Sequence, residues 1–172
     1  MRKVAVLFSM VSLAFILIGC THQDKQESNK STTRADFFQL KLKSLEGGDV
    51  ALSKFKGKKL VINSWASWCG FCKEELSDFG KVKSQLNENI KIIAVNRGES
   101  KQKIQPFLDQ LEHRDELIFL LDKRDRFYQE IGGFAMPETI LVNEKGEIVF
   151  HKRGPMNAEE LKKQINKHLL NN

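Results

Sequence analysis

Apolar residues recur along this chain with two different periods, and the alternation between those periods outlines the fold. Residues 37–42 alternate apolar and polar positions, and the Gly47-Gly48 step leads into Val50-Ala51-Leu52, which predicts an opening β-hairpin. Residues 60–65 form a continuous apolar-rich run, the signature of a strand covered on both faces. Leu76, Phe79, Val82 and Leu86 then recur at helical spacing. Residues 90–95 and 117–121 predict two more strands, and residues 101–112 and 124–131 two more helices. Runs at 138–142 and 147–150 flank Asn143-Glu144-Lys145-Gly146, a hairpin turn, and a closing helix is expected over 157–170. Strands alternating with helices predict an α/β domain: a mixed, partly parallel central sheet with helices on both faces, ending in antiparallel strands.

Ahead of this pattern the chain reads differently. Met1-Arg2-Lys3 precedes an almost wholly apolar stretch to Ile18, the charged-then-apolar order of an export signal. A permanent membrane span needs about 20 apolar residues, and this stretch is shorter. It stops at Leu17-Ile18-Gly19-Cys20, a small residue directly before a cysteine, which resembles the cleavage box of bacterial lipoproteins. That resemblance implies a signal over residues 1–19 and a lipidated Cys20; an uncleaved signal anchor is the competing reading. Residues 21–35 hold no apolar side chain except the terminal alanine, so they cannot bury enough surface to order themselves and are read as a tether. Residues 36–172 have the length of one domain able to fold around its own core.

Charge excludes one class of function. The formal charge of +6 becomes +4 once Arg2 and Lys3 leave with the signal, and the remaining lysines are interleaved with acids, as in Glu159-Glu160-Leu161-Lys162-Lys163. That is a solvated helix face, so no nucleic-acid partner is expected.

With Cys20 assigned to the anchor, Cys69 and Cys72 have only each other. Two intervening residues close too small a loop to staple a fold, so the pair is read as chemistry. A thiol attacks a disulfide as thiolate, and an unperturbed cysteine is only a few per cent ionised at neutral pH. Cys69 falls where the strand ending at Trp65 gives way to a helix, whose free N–H groups favour the anion. Lowering a thiol pKa from ~8.5 to ~7 raises the thiolate fraction roughly 15-fold but weakens the nucleophile roughly 5-fold, a net gain of about threefold. Docking and a good leaving group must supply the rest. A zinc site would need two further ligands from His113, His151 or His168, which are not paired at metal-ligand spacing. Covalent haem attachment would need a histidine where Lys73 stands. No metal or cofactor is therefore expected.

The stretch Trp65-Ala66-Ser67-Trp68-Cys69-Gly70-Phe71-Cys72-Lys73-Glu74-Glu75, with Lys56-Gly57-Lys58 before it, resembles the TlpA/ResA/CcmG group of extracytoplasmic thioredoxin-like proteins. Three later segments extend the likeness: Asn96-Arg97-Gly98-Glu99-Ser100, Met136-Pro137-Glu138-Thr139, and Gly154-Pro155-Met156. It implies a thioredoxin-like fold with an N-terminal hairpin and a central αβ insertion. It further implies Cys69 as the accessible nucleophile, Cys72 as its buried partner in a redox-active disulfide, and Glu75 as the proton acceptor for Cys72. On the residues alone, Glu75 reads equally as a solvated carboxylate of the first helical turn; Glu74 is assigned to that role. Pro137 matches a cis-proline facing the cysteines, with Met136 and Trp68 contacting an extended substrate. Glu138 follows the proline as in the CcmG branch; it is read as a surface carboxylate, with contact to a substrate as the alternative. Gly70-Phe71 departs from the family, where proline often precedes the second cysteine.

The function this implies is a lipid-anchored reductase of particular cell-envelope disulfides, such as those of apocytochrome c. Its electrons would come from a membrane donor of the CcdA/DsbD type, and a monomer is expected. The same chemistry serving a methionine sulfoxide reductase or a sporulation protein is the alternative, followed by a DsbA-like oxidant and a lipoprotein binding module with idle cysteines. A peroxidase would need a proline ahead of the cysteine that Trp65-Ala66-Ser67-Trp68-Cys69 lacks.

Overall fold

The computed structural model describes residues 36–171; the expected signal, Cys20 and the tether lie outside them. Among the described residues seven strands form one sheet: β1 (Lys41–Ser44), β2 (Asp49–Ala51), β3 (Lys59–Trp65), β4 (Ile90–Arg97), β5 (Ile118–Asp122), β6 (Glu138–Val142) and β7 (Ile148–Arg153). Their order is β2-β1-β5-β4-β3-β6-β7. The three central strands run parallel, with Trp65 level with Asn96 and Arg97 level with Asp122. β1 and β2, and β6 and β7, pair antiparallel as the two hairpin patterns predict, and β1 and β6 also join β5 and β3 antiparallel. The helices are α1 (Cys72–Lys83), α2 (Lys101–Leu108), α3 (Arg126–Glu130) and α4 (Ala158–Ile165). The α2–β5 unit supplies the expected central insertion. Among the described residues no helix is long and apolar enough to cross a membrane.

Successive side chains of a strand point to opposite faces, so the central strands feed two cores. Val61, Trp65, Ile92, Ala94, Phe119 and Leu141 pack with Leu76, Phe79 and Val82 of α1, Ile104 of α2 and Leu161 of α4. Leu60, Ile62, Ile93, Val95, Leu120 and Ile140 face Phe37, Phe38, Phe55 and Phe127 instead. Burial on both sides accounts for the unbroken apolar runs read from the sequence.

Three elements are shorter than their patterns suggest. Residues 37–39 lie in a 3₁₀ turn (Asp36–Gln39) rather than a strand, which drops both Phe37 and Phe38 into the core. α2 stops at Leu108: the next bonds tighten to Gln110 N–H on the Phe107 carbonyl and Leu111 N–H on the Leu108 carbonyl, and the chain reverses at His113, φ 54°. Buried Leu111 continued the helical spacing without the helix. α3 begins only at Arg126 because Asp125 is left-handed, φ 57°, while the Asp122 carboxylate accepts from the Phe127 amide at 2.6 Å. The closing helix ends in a wide turn, Asn166–Leu170.

Candidate active site

The carboxyl ends of β3, β4 and β5 lie along one edge of the sheet, where open α/β sheets place their ligands. β3 leaves the sheet at Trp65 into a turn closed by the Cys69 amide on the Ala66 carbonyl, 3.1 Å, and the Cys72 amide on the Cys69 carbonyl, 3.2 Å, starts α1. Cys69 and Cys72 are joined as a disulfide with Cα atoms 5.4 Å apart. Cys72 is wholly buried; Cys69 is the only one of the pair that reaches solvent, with 7% of its surface. Trp68 and Phe71 beside them are 62% and 64% exposed. Trp65 belongs to the core instead, stacked on Phe107 with ring centroids 4.8 Å apart and edge-on to Phe119 at 5.9 Å.

Glu75 is not a solvated carboxylate. It is 3% exposed, and it accepts from Asn63 Nδ2 at 3.0 Å and from the Met156 amide at 2.9 Å. Burial pushes its carboxyl up to about 8 despite those two bonds, and the nearby Glu160 and Asp78 charges act in the same direction. Asn63 Nδ2 also donates to Thr139 Oγ1 at 2.9 Å, so β3, α1, β6 and the Gly154-Pro155-Met156 segment meet at this one carboxyl. Glu74 is exposed, as expected. A groove of about 270 Å³ opens beside Glu75, between Phe71, Asp78 and the 155–160 segment. A larger hollow of about 480 Å³ lies by the start of β3, lined by Asp36, Phe38, Lys56 and Lys145, and holds none of this chemistry.

The Met136-Pro137 bond is cis. Pro137 is buried, its carbonyl accepts from the Gly154 amide at 2.9 Å, and Met136 packs against the core cluster that contains both cysteines. Among the described residues the Met136 backbone makes no hydrogen bond. Glu138 corrects the sequence reading: it has no exposed surface. One oxygen accepts from the Phe134 and Ala135 amides at 2.8 and 3.1 Å, and the other lies 2.6 Å from His151 Nε2 and 3.3 Å from Arg153 Nε. A buried carboxylate is tolerated only with such partners.

Two features went unread in the sequence. Phe134, on the loop before the cis-proline, is 86% exposed, and that loop is further pinned by the Tyr128 hydroxyl donating to the Ala135 carbonyl at 2.8 Å. The Arg97 guanidinium, paired with Asp125, lies over the Tyr128 ring at 3.5 Å. The short run Gly132-Gly133-Phe134-Ala135 carried no periodic signal. The second feature is Glu99, 5% exposed, which accepts from both the Ser67 amide and the Ser67 hydroxyl at 2.7 Å.

A redoxin family model matches residues 29–169. Sporulation thiol-disulfide oxidoreductase A of Bacillus subtilis is 36% identical over 124 residues, covering 70% of this chain and 74% of that protein. Thiol-disulfide oxidoreductase ResA of Geobacillus thermodenitrificans is 25% identical over 166 residues, 96% of this chain and 92% of that one. The crystal structure of StoA from Bacillus subtilis superposes with a TM-score of 0.60 and 32% identity, over 72% of this chain and 93% of that chain. Matched along most of its length and carrying a closed cysteine pair at the edge where the fold puts its chemistry, the chain belongs to the redoxin family, as a thiol-disulfide oxidoreductase of the ResA/StoA type.

Proposed function

We propose that this chain is a membrane-tethered reductase of particular cell-envelope disulfides. Residues 1–19 act as the export signal, Cys20 carries the lipid, residues 20–35 form the tether and residues 36–172 the catalytic domain. Two acyl chains hold stably where one binds only marginally. The Cys69 thiolate attacks a client disulfide, forming a mixed disulfide and releasing one client thiolate. Cys72 then gives its proton to Glu75 and attacks the Cys69 sulfur, releasing the second client thiolate and leaving Cys69–Cys72 oxidised. A CcdA/DsbD-type membrane donor returns the two electrons. Trp68, Met136 and Pro137 receive the extended client segment.

The observation that carries this reading is the asymmetry of the pair: Cys72 is wholly buried, one turn of α1 before the buried Glu75, while Cys69 alone of the two reaches the surface. The disulfide form is the state that follows proton transfer, and a Glu75 carboxyl pushed up to about 8 keeps its proton there. The test is the equilibrium reduction potential of the pair against a glutathione or dithiothreitol series. A value well below about −200 mV fits a client reductase; a value near about −120 mV marks an oxidant and overturns the direction.

The 36% identity to a protein named for sporulation favours a second reading, the same reaction on a sporulation client rather than apocytochrome c. Cys72→Ser cannot resolve the mixed disulfide, so the client trapped on Cys69 in cells decides between them.

A further inference from the structure

Glu99 stands outside the reaction just described, yet it is a buried carboxylate in contact with the turn that carries the nucleophile. Its Oε2 accepts from the Ser67 amide at 2.7 Å and from Asn96 Nδ2 at 2.9 Å; its Oε1 accepts from the Ser67 hydroxyl at 2.7 Å and from Lys103 Nζ at 2.9 Å. Asn96 Oδ1 in turn accepts from the Glu99 amide at 3.3 Å. Burial alone pushes the Glu99 carboxyl up, but the bonds from Ser67, Asn96 and Lys103 outweigh it and hold it down at about 2. The group is therefore an anion throughout the working range and takes no part in proton traffic.

Its place matters more than its charge. Ser67 is the second residue of the Ala66–Cys69 turn, so the Glu99 fork grips both the backbone and the side chain of the residue two before the nucleophile. The grip comes from the loop after β4, the strand paired with β3. When the disulfide is intact it fixes Cys69 against Cys72 by itself. Once the pair is reduced that bond is gone, and among the described residues the polar contacts left to hold the turn are the Cys69-to-Ala66 bond, the start of α1 and the Glu99 fork, beside the packing of Ala66 and Cys69 in the core.

We infer that Glu99 is the positioning residue of the nucleophile turn, holding reduced Cys69 in register with Cys72 so that the pair closes readily. A fork that pre-organises the two thiols raises their effective concentration, which favours the disulfide and keeps the potential low. The inference rests on Cys69 and Cys72 being the reacting pair.

The test is the reduction potential of the full chain in detergent, parent against Glu99→Ala, Glu99→Gln and Ser67→Ala, with the melting temperature of each oxidised form recorded alongside. Losing the fork in Glu99→Ala is expected to lower the effective concentration of the pair about tenfold, a rise of about 30 mV for this two-electron couple. Glu99→Gln, which keeps one acceptor, and Ser67→Ala, which loses one of two bonds, move the potential the same way by less. A lowered melting temperature with an unmoved potential makes Glu99 merely structural and overturns the inference. Should Glu99→Ala fail to fold, Ser67→Ala decides: a rise supports the fork and an unchanged potential refutes it. A parent chain whose pair cannot be reduced or oxidised in the series sinks the redox reading itself, an outcome separate from any of these.

Discussion

Replacing Glu75 by glutamine removes a titrating proton while keeping the shape of the side chain. The introduced amide can still accept from the Met156 amide, and Asn63 Oδ1, which has no hydrogen-bond partner among the described residues, can accept from its new N–H₂ group after an amide turn. In the parent protein the folded state holds the Glu75 proton up to about 8, whereas the unfolded chain releases it near 4.5. Between those two values the native state binds one proton more than the unfolded state, so stability falls as pH rises. The contribution is complete below pH 4.5 and is lost as pH climbs through about 8. At about 1.4 kcal/mol per unit this would sum to about 5 kcal/mol; water entry and relaxation around the released carboxylate reduce it, and about 2–3 kcal/mol is the expected fall. Urea unfolding of the oxidised protein at intervals from pH 4.5 to 8.5, parent beside Glu75→Gln, reads the difference directly. The parent should lose stability relative to the variant across that window. Two parallel curves would mean that Glu75 is not held protonated in the folded protein, and its role as proton acceptor for Cys72 would lose its physical basis.

The two tryptophans flanking the turn should separate in the same kind of experiment. Trp65→Ala empties a fully buried site stacked on Phe107 and should cost about 3–5 kcal/mol in urea unfolding, whereas Trp68→Ala, at 62% exposure, should stay within about 0.5 kcal/mol. Phe134 is exposed on the loop that leads into Pro137, which the proposed reaction sets against the client, so Phe134→Ala should leave stability equally untouched but lower kcat/KM for a protein disulfide roughly tenfold or more, through the loss of about 1.5–3 kcal/mol of apolar burial; an unchanged kcat/KM would mean that the client does not cover this ring. Glutathione reduction by the same variant, which needs no such coverage, is the internal control.

What the sequence disclosed depended on whether a residue's environment is local. The central strands were legible because burial on both faces makes each of them apolar throughout, and the hairpins because Gly47-Gly48 and Asn143-Glu144-Lys145-Gly146 announce their turns. The end of α2 and the start of α3 were not, since they are set by the tightened bonds after Leu108 and by left-handed Asp125 rather than by the apolar spacing that Leu111 prolongs. The cysteines stood out by spacing, and Glu75 by resemblance alone. Its burial depends on Met156, 81 residues away, and on Asn63 across the sheet. Glu138 was misread for a related reason: its charge suggested solvent, while its partners come from a preceding loop and from β7. Glu99 took its place in the sequence only as part of a family motif, because Ser67, the residue it holds, lies 32 positions earlier.

Glu75 and Glu99 are the same side chain, each almost wholly buried at one edge of one sheet, and they are driven in opposite directions. The difference lies in the donors. Glu75 has two neutral N–H partners and two acidic neighbours, too little to offset the loss of water, so it keeps a proton near neutral pH. Glu99 has four donors, one of them the Lys103 ammonium, and stays charged. In the proposed reaction Glu75 accepts and releases a proton in each cycle, which needs a pKa near the working pH, and Glu99, in the role inferred for it, holds a turn still and needs the reverse. Trading their surroundings would therefore work against both proposed roles: a donor added beside Glu75 would favour its anion and weaken its hold on a proton from Cys72, and the loss of Lys103 and Asn96 would raise the Glu99 carboxyl and leave only the two Ser67 bonds to hold it down.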